Sequence, residues 1–205
     1  MLDNKGFDVW SEEYDTSVKL SSEDSTYPFV GYNEIVNKIY DIVISKSNAT
    51  VLDIGFGTGT LTQKLYQYGC DVYGQDFSSK MIELASNKMT NANLYQGDFT
   101  KGIVKQLKQR SYDFIVATYS IHHLKVDEKV KFLHELLALL NKNGMILIGD
   151  VMFETQEQLE KCREELLDKW DDDEFYCVVS DLRKEFPKLQ FERISFCSGI
   201  ISLSK

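Results

Sequence analysis

The sequence predicts an α/β fold: a single-domain, doubly wound, mostly parallel sheet with a C-terminal antiparallel hairpin and an N-terminal helical cap. Three observations predict it. Short apolar runs alternate with segments of helical period through most of the chain. Those runs are nearly continuous in apolar residues, as strands covered on both faces are. The first of them, Val51 to Ile54, passes straight into glycines at alternate positions, Gly55, Gly57 and Gly59, and then into a helical segment. Strand, glycine turn and helix are the parts of a ligand pocket at the carboxyl end of a parallel strand.

Phe7, Trp10 and Tyr14 recur at helical spacing, and the polar stretch Thr16 to Tyr27 reads as a mobile loop. Residues 1–32 are therefore expected to cap a core of residues 33–205, all within one domain. Asn33 is the expected N-cap of a helix reaching about Ser45, with Ile35, Val36, Ile39, Ile42 and Val43 inward. After the glycine turn, Leu61 and Leu65 share a helical face, and Gly69 is a natural stop. Cys70 to Gly74 and Asn93 to Gln96 are the second and third strands, with a helix from Ser78 to about Met89 between them. A short amphipathic helix is expected near Ile103 to Leu107, then a fourth strand over Tyr112 to Ala117. A long helix from about Asp127 to Leu140 stops at Asn141-Lys142-Asn143-Gly144, and Met145 to Ile148 is the fifth strand.

Thr155 with Gln158 three residues on resembles a capping box, opening a helix that carries Leu159, Cys162, Leu166, Leu167 and Trp170. The acidic run Asp171 to Glu174 reads as solvated. A shorter helix over Ser180 to Phe186 ends at Pro187. The alternation from Phe191 to Phe196, followed by Ile200 to Leu203, makes the hairpin, with Ser198-Gly199 as its turn.

Composition narrows the function. At 205 residues the chain suits one domain with a real core. A net charge of −9 without any block of Lys and Arg disfavours a phosphate backbone as partner. No apolar run approaches the roughly 18 residues of a membrane helix, and the first residues lack a basic-then-apolar signal, so the chain reads as cytoplasmic and without a membrane partner. Its four cysteines lack a C-x-x-C pair and read as reduced, mostly buried thiols. No His/Cys/Asp cluster has metal-ligand spacing along the chain, so no metal is expected.

Asp53 narrows it further. The dinucleotide fingerprint G-x-G-x-x-G would put its third glycine at position 60, which is Thr60. A carboxylate just ahead of the turn would also repel a pyrophosphate, whereas an ammonium or sulfonium would suit it. The remaining candidates lie past the ends of predicted strands, where open α/β sheets bind ligands: Asp76 and Phe77, Asp98 and Phe99, Tyr119, His122, His123 and Asp150.

Val51-Leu52-Asp53-Ile54-Gly55-Phe56-Gly57-Thr58-Gly59 resembles the first motif of the class I S-adenosylmethionine-dependent methyltransferases. The resemblance covers roughly residues 50 to 150, including Asp76, Asp98 and Ser120-Ile121-His122-His123-Leu124, and is weaker from Phe7 to Asp15. More narrowly, Asp150-Val151-Met152-Phe153-Glu154 and the short C-terminal end resemble a group of small bacterial methyltransferases associated with methionine and cysteine recycling.

The resemblance implies a Rossmann-like methyltransferase fold, S-adenosylmethionine as cofactor and S-adenosylhomocysteine as product. It implies a cofactor site of Asp53, Gly55, Gly57, Gly59, Asp76, Phe77, Asp98, Phe99 and Tyr119, with Tyr14 from the cap. Gly55 would contact the methionine part and Asp76 the ribose hydroxyls. Asp98, or the Phe99 backbone, would receive the adenine amine, and Phe77 and Phe99 would pack on the base. Phe56 departs from the small residue, Pro or Cys of many family members, and would narrow the pocket unless it points away. His122, His123 and Asp150 are candidates for a general base acting on a thiol, hydroxyl or amine. The Asn/Asp-Pro-Pro-aromatic motif of amino-methylating enzymes is absent; Thr118-Tyr119-Ser120 stands there instead. With the acidic charge, this favours a small-molecule acceptor. A non-catalytic cofactor-binding sensor needs the same pocket and is the alternative.

Overall fold

The computed structural model describes residues 26–205. The helix expected from Phe7 to Tyr14, and most of the loop that follows it, lie outside the described residues. The elements run α1 (Tyr32–Ile44), β1 (Thr50–Ile54), α2 (Thr60–Tyr68), β2 (Asp71–Asp76), α3 (Ser79–Lys88), β3 (Asn93–Gln96), β4 (Tyr112–Thr118), α4 (Val126–Leu139), β5 (Leu140–Phe153), α5 (Gln156–Leu166), β6 (Cys177–Val178), α6 (Val179–Glu185), β7 (Gln190–Arg193) and β8 (Ser198–Ser204). Seven strands follow the order β3-β2-β1-β4-β5-β8-β7, and β6 pairs with the end of β5. β1 to β5 are parallel, and β8 runs antiparallel to both β5 and β7.

Period-2 alternation divides the core between the two faces. On one face Leu52, Ile115, Ile146 and Ile148 meet Phe132, Leu133 and Leu136 of α4. On the other, Val51, Val116 and Leu147 meet Ile35 and Ile39 of α1 and Leu61 and Leu65 of α2. Each face buries a helix stripe that cannot stay in water, which is why the chain winds to both sides.

Local chemistry sets the ends. Gly31, at φ +83°, starts α1 in place of the expected Asn33. Ser78 caps α3 by accepting from Met81 N, and Thr155 caps α5 by accepting from Gln158 N. The helix expected near Ile103 is replaced by two short 3₁₀ turns, Phe99–Lys101 and Leu107–Gln109. Asn141 to Gly144 does not break the chain: β5 starts at Leu140 and takes up the irregularity as a register shift opposite Tyr112 and Phe114. α5 ends at Leu166, short of Trp170. The hairpin turns over Ile194 to Cys197, where the Ile194 and Ser195 N–H groups donate to Ser198 O, so Ser198-Gly199 already belongs to β8. All four cysteines are unbridged and buried. Among the described residues no helix is long and apolar enough to cross a membrane.

Candidate functional site

The carboxyl ends of β1, β2, β4 and β5 open on a cleft of about 590 Å³. Gly55 (φ +67°) and Gly57 (φ +55°) line it. A Cβ on Gly55 would stand 2.6 Å from Ser120 Cβ, so the main chain itself forms the wall there. Asp76, also lining the cleft, accepts from Gly57 N at Oδ2 (2.8 Å) and from Ser78 N at Oδ1 (3.0 Å). The carboxylate is thereby pinned, and each oxygen keeps a lone pair. Burial raises its pKa, and the Ser78, Gly57 and Phe77 amides only partly oppose that. Phe77, Met81 and Phe99 supply apolar lining beside it.

The expectation that three acids share the cleft is corrected: of Asp53, Asp76 and Asp98, only Asp76 lines it. Alternation along β1 turns Asp53 to the same face as Val51, toward α2 and behind the glycine turn. There Asp53 is 1% exposed; its Oδ2 accepts from Thr62 Oγ1 (2.6 Å), while Oδ1 has no hydrogen-bond partner among the described residues. Burial lifts its pKa to about 7, Thr62 opposing and nearby Asp76 adding to the rise. Asp98 caps the first 3₁₀ turn instead, accepting from Thr100 N (3.0 Å) and pairing with Lys101 (2.9 Å). Gly59 caps α2 and does not reach the lining either. Phe56 points away: its ring packs over Gly74, where a Cβ would come within 2.6 Å of it, and joins Ala85 and Met89.

The other end of the cleft is built past β4. Tyr119 takes a left-handed backbone (φ +49°) and its ring packs against Phe29 (5.2 Å) and Tyr32 (5.3 Å). A 3₁₀ turn, Ile121–His123, follows. Asp150, 1% exposed on β5, does not line the cleft but organises this turn. It accepts from the backbone N–H groups of Ile121 (3.1 Å), His122 (3.3 Å) and Val151 (2.7 Å), and bonds His122 Nδ1 at 2.7 Å. The carboxylate only accepts, so Nδ1 carries the hydrogen and Nε2 is turned toward the cleft. Asp150 is thus a positioning residue rather than one exposed to an acceptor.

Glu174 faces the two imidazoles, with Oε2 3.0 Å from His123 Nδ1 and 3.8 Å from His122 Nε2. Burial works against charge on His122 and on Glu174. On His122 it is outweighed by Asp150 and Glu174, which leave the pKa raised; on Glu174 it is outweighed by His123 and His122, which leave it lowered. The acidic run ending in Glu174 is therefore not simply solvated. Three backbone ties bring it in. Phe175 N donates to His122 O (2.8 Å), the buried Lys129 ammonium bridges Leu124 O and Phe175 O, and β6 pairs Cys177 and Val178 with Met152 and Phe153. Burial lowers the Lys129 pKa.

Aromatic residues close the remaining side. Tyr27 stacks on Trp170 (5.8 Å) and its hydroxyl bonds that of Tyr176. Sequence reasoning missed Glu174, Tyr27 and Tyr176. The available signal was Phe175-Tyr176-Cys177-Val178, an apolar run that returns the chain to the core directly after the acids. Tyr14 lies outside the described residues.

The family described as "Methyltransferase domain" matches residues 51–144. An uncharacterized methyltransferase of Alkaliphilus oremlandii (strain OhILAs) is 34% identical over 183 residues, covering 89% of this chain and 81% of that protein. Among solved structures, magnesium protoporphyrin IX methyltransferase from Synechocystis PCC 6803 with bound SAH superposes with a TM-score of 0.67 at 20% identity, over 86% of this chain and 84% of that one. The DhpI–SAH complex gives 0.66 at 17% identity, over 97% and 93%. The sheet order, the glycine turn at its carboxyl edge and the extent of the sequence match agree: this chain belongs to the methyltransferase family.

Proposed function

We propose that the chain transfers a methyl group from S-adenosylmethionine to a small-molecule acceptor held at the histidine end of the cleft. The observation that carries this reading is that one cleft of about 590 Å³ joins the Gly55–Asp76 wall to the His122–His123–Glu174 cluster, a size within the range of small-molecule sites. S-adenosylmethionine brings its methyl already activated on a sulfonium. Two structural neighbours carry SAH, the demethylated form, in their names.

The chain's residues divide the remaining work. Asp76 would accept both ribose hydroxyls on its spare lone pairs, and Phe77, Met81 and Phe99 would cover the base. Gly55, with no room for a Cβ, would let the methionine portion lie against the main chain. Asp53 stands one layer back, outside the lining, and would tie β1 to α2 through Thr62 behind the turn. His122, held by Asp150, and His123 would receive the acceptor's attacking atom. The protein's task is then alignment and exclusion of water, for which Tyr27 and Tyr176 on the cleft wall, backed by Trp170, are suited.

The test is calorimetric titration with S-adenosylhomocysteine, followed by a methyl-donor consumption screen against metabolite pools. Binding together with turnover on a low-molecular-weight fraction supports the reading. Binding without turnover on any fraction contradicts the catalytic part. His122→Ala is expected to depress turnover at least tenfold, by loss of an oriented group in the transition state, while leaving cofactor affinity within twofold.

A further inference from the structure

We propose that His122, His123 and Glu174 form a site for a divalent transition-metal ion at the acceptor end of the cleft. Along the chain these residues have no metal-ligand spacing, since Glu174 is 51 positions from His123. In space their donor atoms all lie within 4.8 Å of one another. A tetrahedral ion with arms of about 2.0 Å has ligand–ligand edges of about 3.3 Å. The 3.0 Å from Glu174 Oε2 to His123 Nδ1 and the 3.8 Å to His122 Nε2 straddle that edge. The shorter of the two is a hydrogen bond in which His123 Nδ1–H donates to the carboxylate, so an ion enters by displacing that proton to water, while the longer is beyond a hydrogen bond.

Asp150 supplies the second feature of a metal centre. It takes the Nδ1 hydrogen of His122 at 2.7 Å, which fixes the tautomer with a lone pair on Nε2. Asp150 is itself held by three backbone N–H groups, so the imidazole is oriented before any ion arrives. The two histidine rings sit 4.3 Å apart on one 3₁₀ turn. Among the described residues, two imidazoles and a carboxylate leave a fourth position, and all three residues line the cleft. Such a ligand set with an open position is the arrangement of catalytic rather than structural ions.

The role of the ion rests on the methyl-transfer reading; its binding does not. In that role the acceptor's thiol or hydroxyl coordinates at the fourth position and releases its proton to water. The bound anion then attacks the methyl carbon. A new bond forms from carbon to the acceptor's sulfur or oxygen, and the carbon–sulfonium bond breaks with its electron pair remaining on sulfur as a neutral thioether.

The experiment is titration of the tag-free, chelator-treated full chain with Zn²⁺ alone by calorimetry, repeated with Co²⁺ by visible absorption. The expected result is one equivalent bound by the wild type, weakened at least tenfold in Glu174→Gln and in His123→Ala. Asp150→Asn is expected to weaken it 10- to 100-fold, as second-layer partners do. S-adenosylhomocysteine affinity, measured on the same Glu174→Gln protein, is expected to stay within twofold and so reports that it is folded. Absence of stoichiometric ion binding, or binding unchanged in Glu174→Gln and His123→Ala, overturns the site. Loss of S-adenosylhomocysteine binding by the wild type with ion binding intact would instead overturn the cofactor reading and leave the metal site standing.

Discussion

At the amino end of β4, Asp113 accepts from Lys46 Nζ (2.5 Å), Thr50 N (3.0 Å) and Asn141 Nδ2 (2.8 Å). At the carboxyl end of the same sheet, Asp76 and Asp150 are held by backbone N–H groups and, for Asp150, by a histidine. The pKa of Asp113 ends lowered, because its partners outweigh burial, while those of Asp53 and Asp76 end raised, because theirs do not. One end of the sheet completes its charges internally. The other leaves Asp53 Oδ1 without a partner among the described residues and spare lone pairs on Asp76, and it is there that glycines at positive φ bring main chain to the surface. The difference separates an acid whose charge the fold closes from one, Asp76, that keeps acceptor capacity on the cleft wall.

The largest expected effect is at Asp53. Its folded pKa, about 7 against an ordinary 3.8, means the folded state keeps a proton that the unfolded chain has already released. Stability is therefore fully present below about pH 4 and is lost as pH rises through about 7. Relative to Asp53→Asn, which removes the titration, the wild type should lose on the order of 4 kcal/mol of unfolding free energy between pH 4 and 8. Denaturant melts at a series of pH values measure this. Parallel pH profiles for the two proteins would show that Asp53 keeps an ordinary carboxyl pKa in the folded state.

Next is Gly55→Ala. Left-handed backbone costs a residue with a Cβ about 1–2 kcal/mol, and the 2.6 Å approach to Ser120 adds an overpacking cost of similar size. Stability should fall by about 3 kcal/mol, and S-adenosylhomocysteine affinity should fall with it. Smaller again is Asp113→Ala, expected to lower stability by about 2 kcal/mol through the stranded Thr50 amide and Asn141 while leaving ligand affinity unchanged. A drop in affinity with Asp113→Ala would erase the distinction between the two ends.

How much of this was legible follows the same physics. The five parallel strands, the helices between them and the glycine turn are local patterns, set by periodicity and by what only glycine can adopt, and they lie close to where the sequence puts them. Asp76 reads correctly as a cleft residue because it ends a strand and its carboxylate is pinned by the adjacent turn. Asp53 and Asp98 read as its equals, but side-chain direction depends on strand face and on capping: Val51 carries Asp53 toward α2, and Thr100 and Lys101 take Asp98. Glu174 was hidden for another reason. Its place is fixed by a two-residue strand, too short to show any period, and by the buried Lys129, whose ammonium reads in sequence as a surface charge.

The most direct test is calorimetric titration of S-adenosylhomocysteine into the wild type, Asp76→Asn and Asp113→Asn at pH 7. Asp76→Asn keeps one acceptor oxygen but loses the charge and one of two hydroxyl sites, so affinity should fall tenfold or more, while Asp113→Asn binds as the wild type does. Equal affinities in all three proteins would contradict the claim that the carboxyl edge of the sheet, and Asp76 in particular, holds the cofactor.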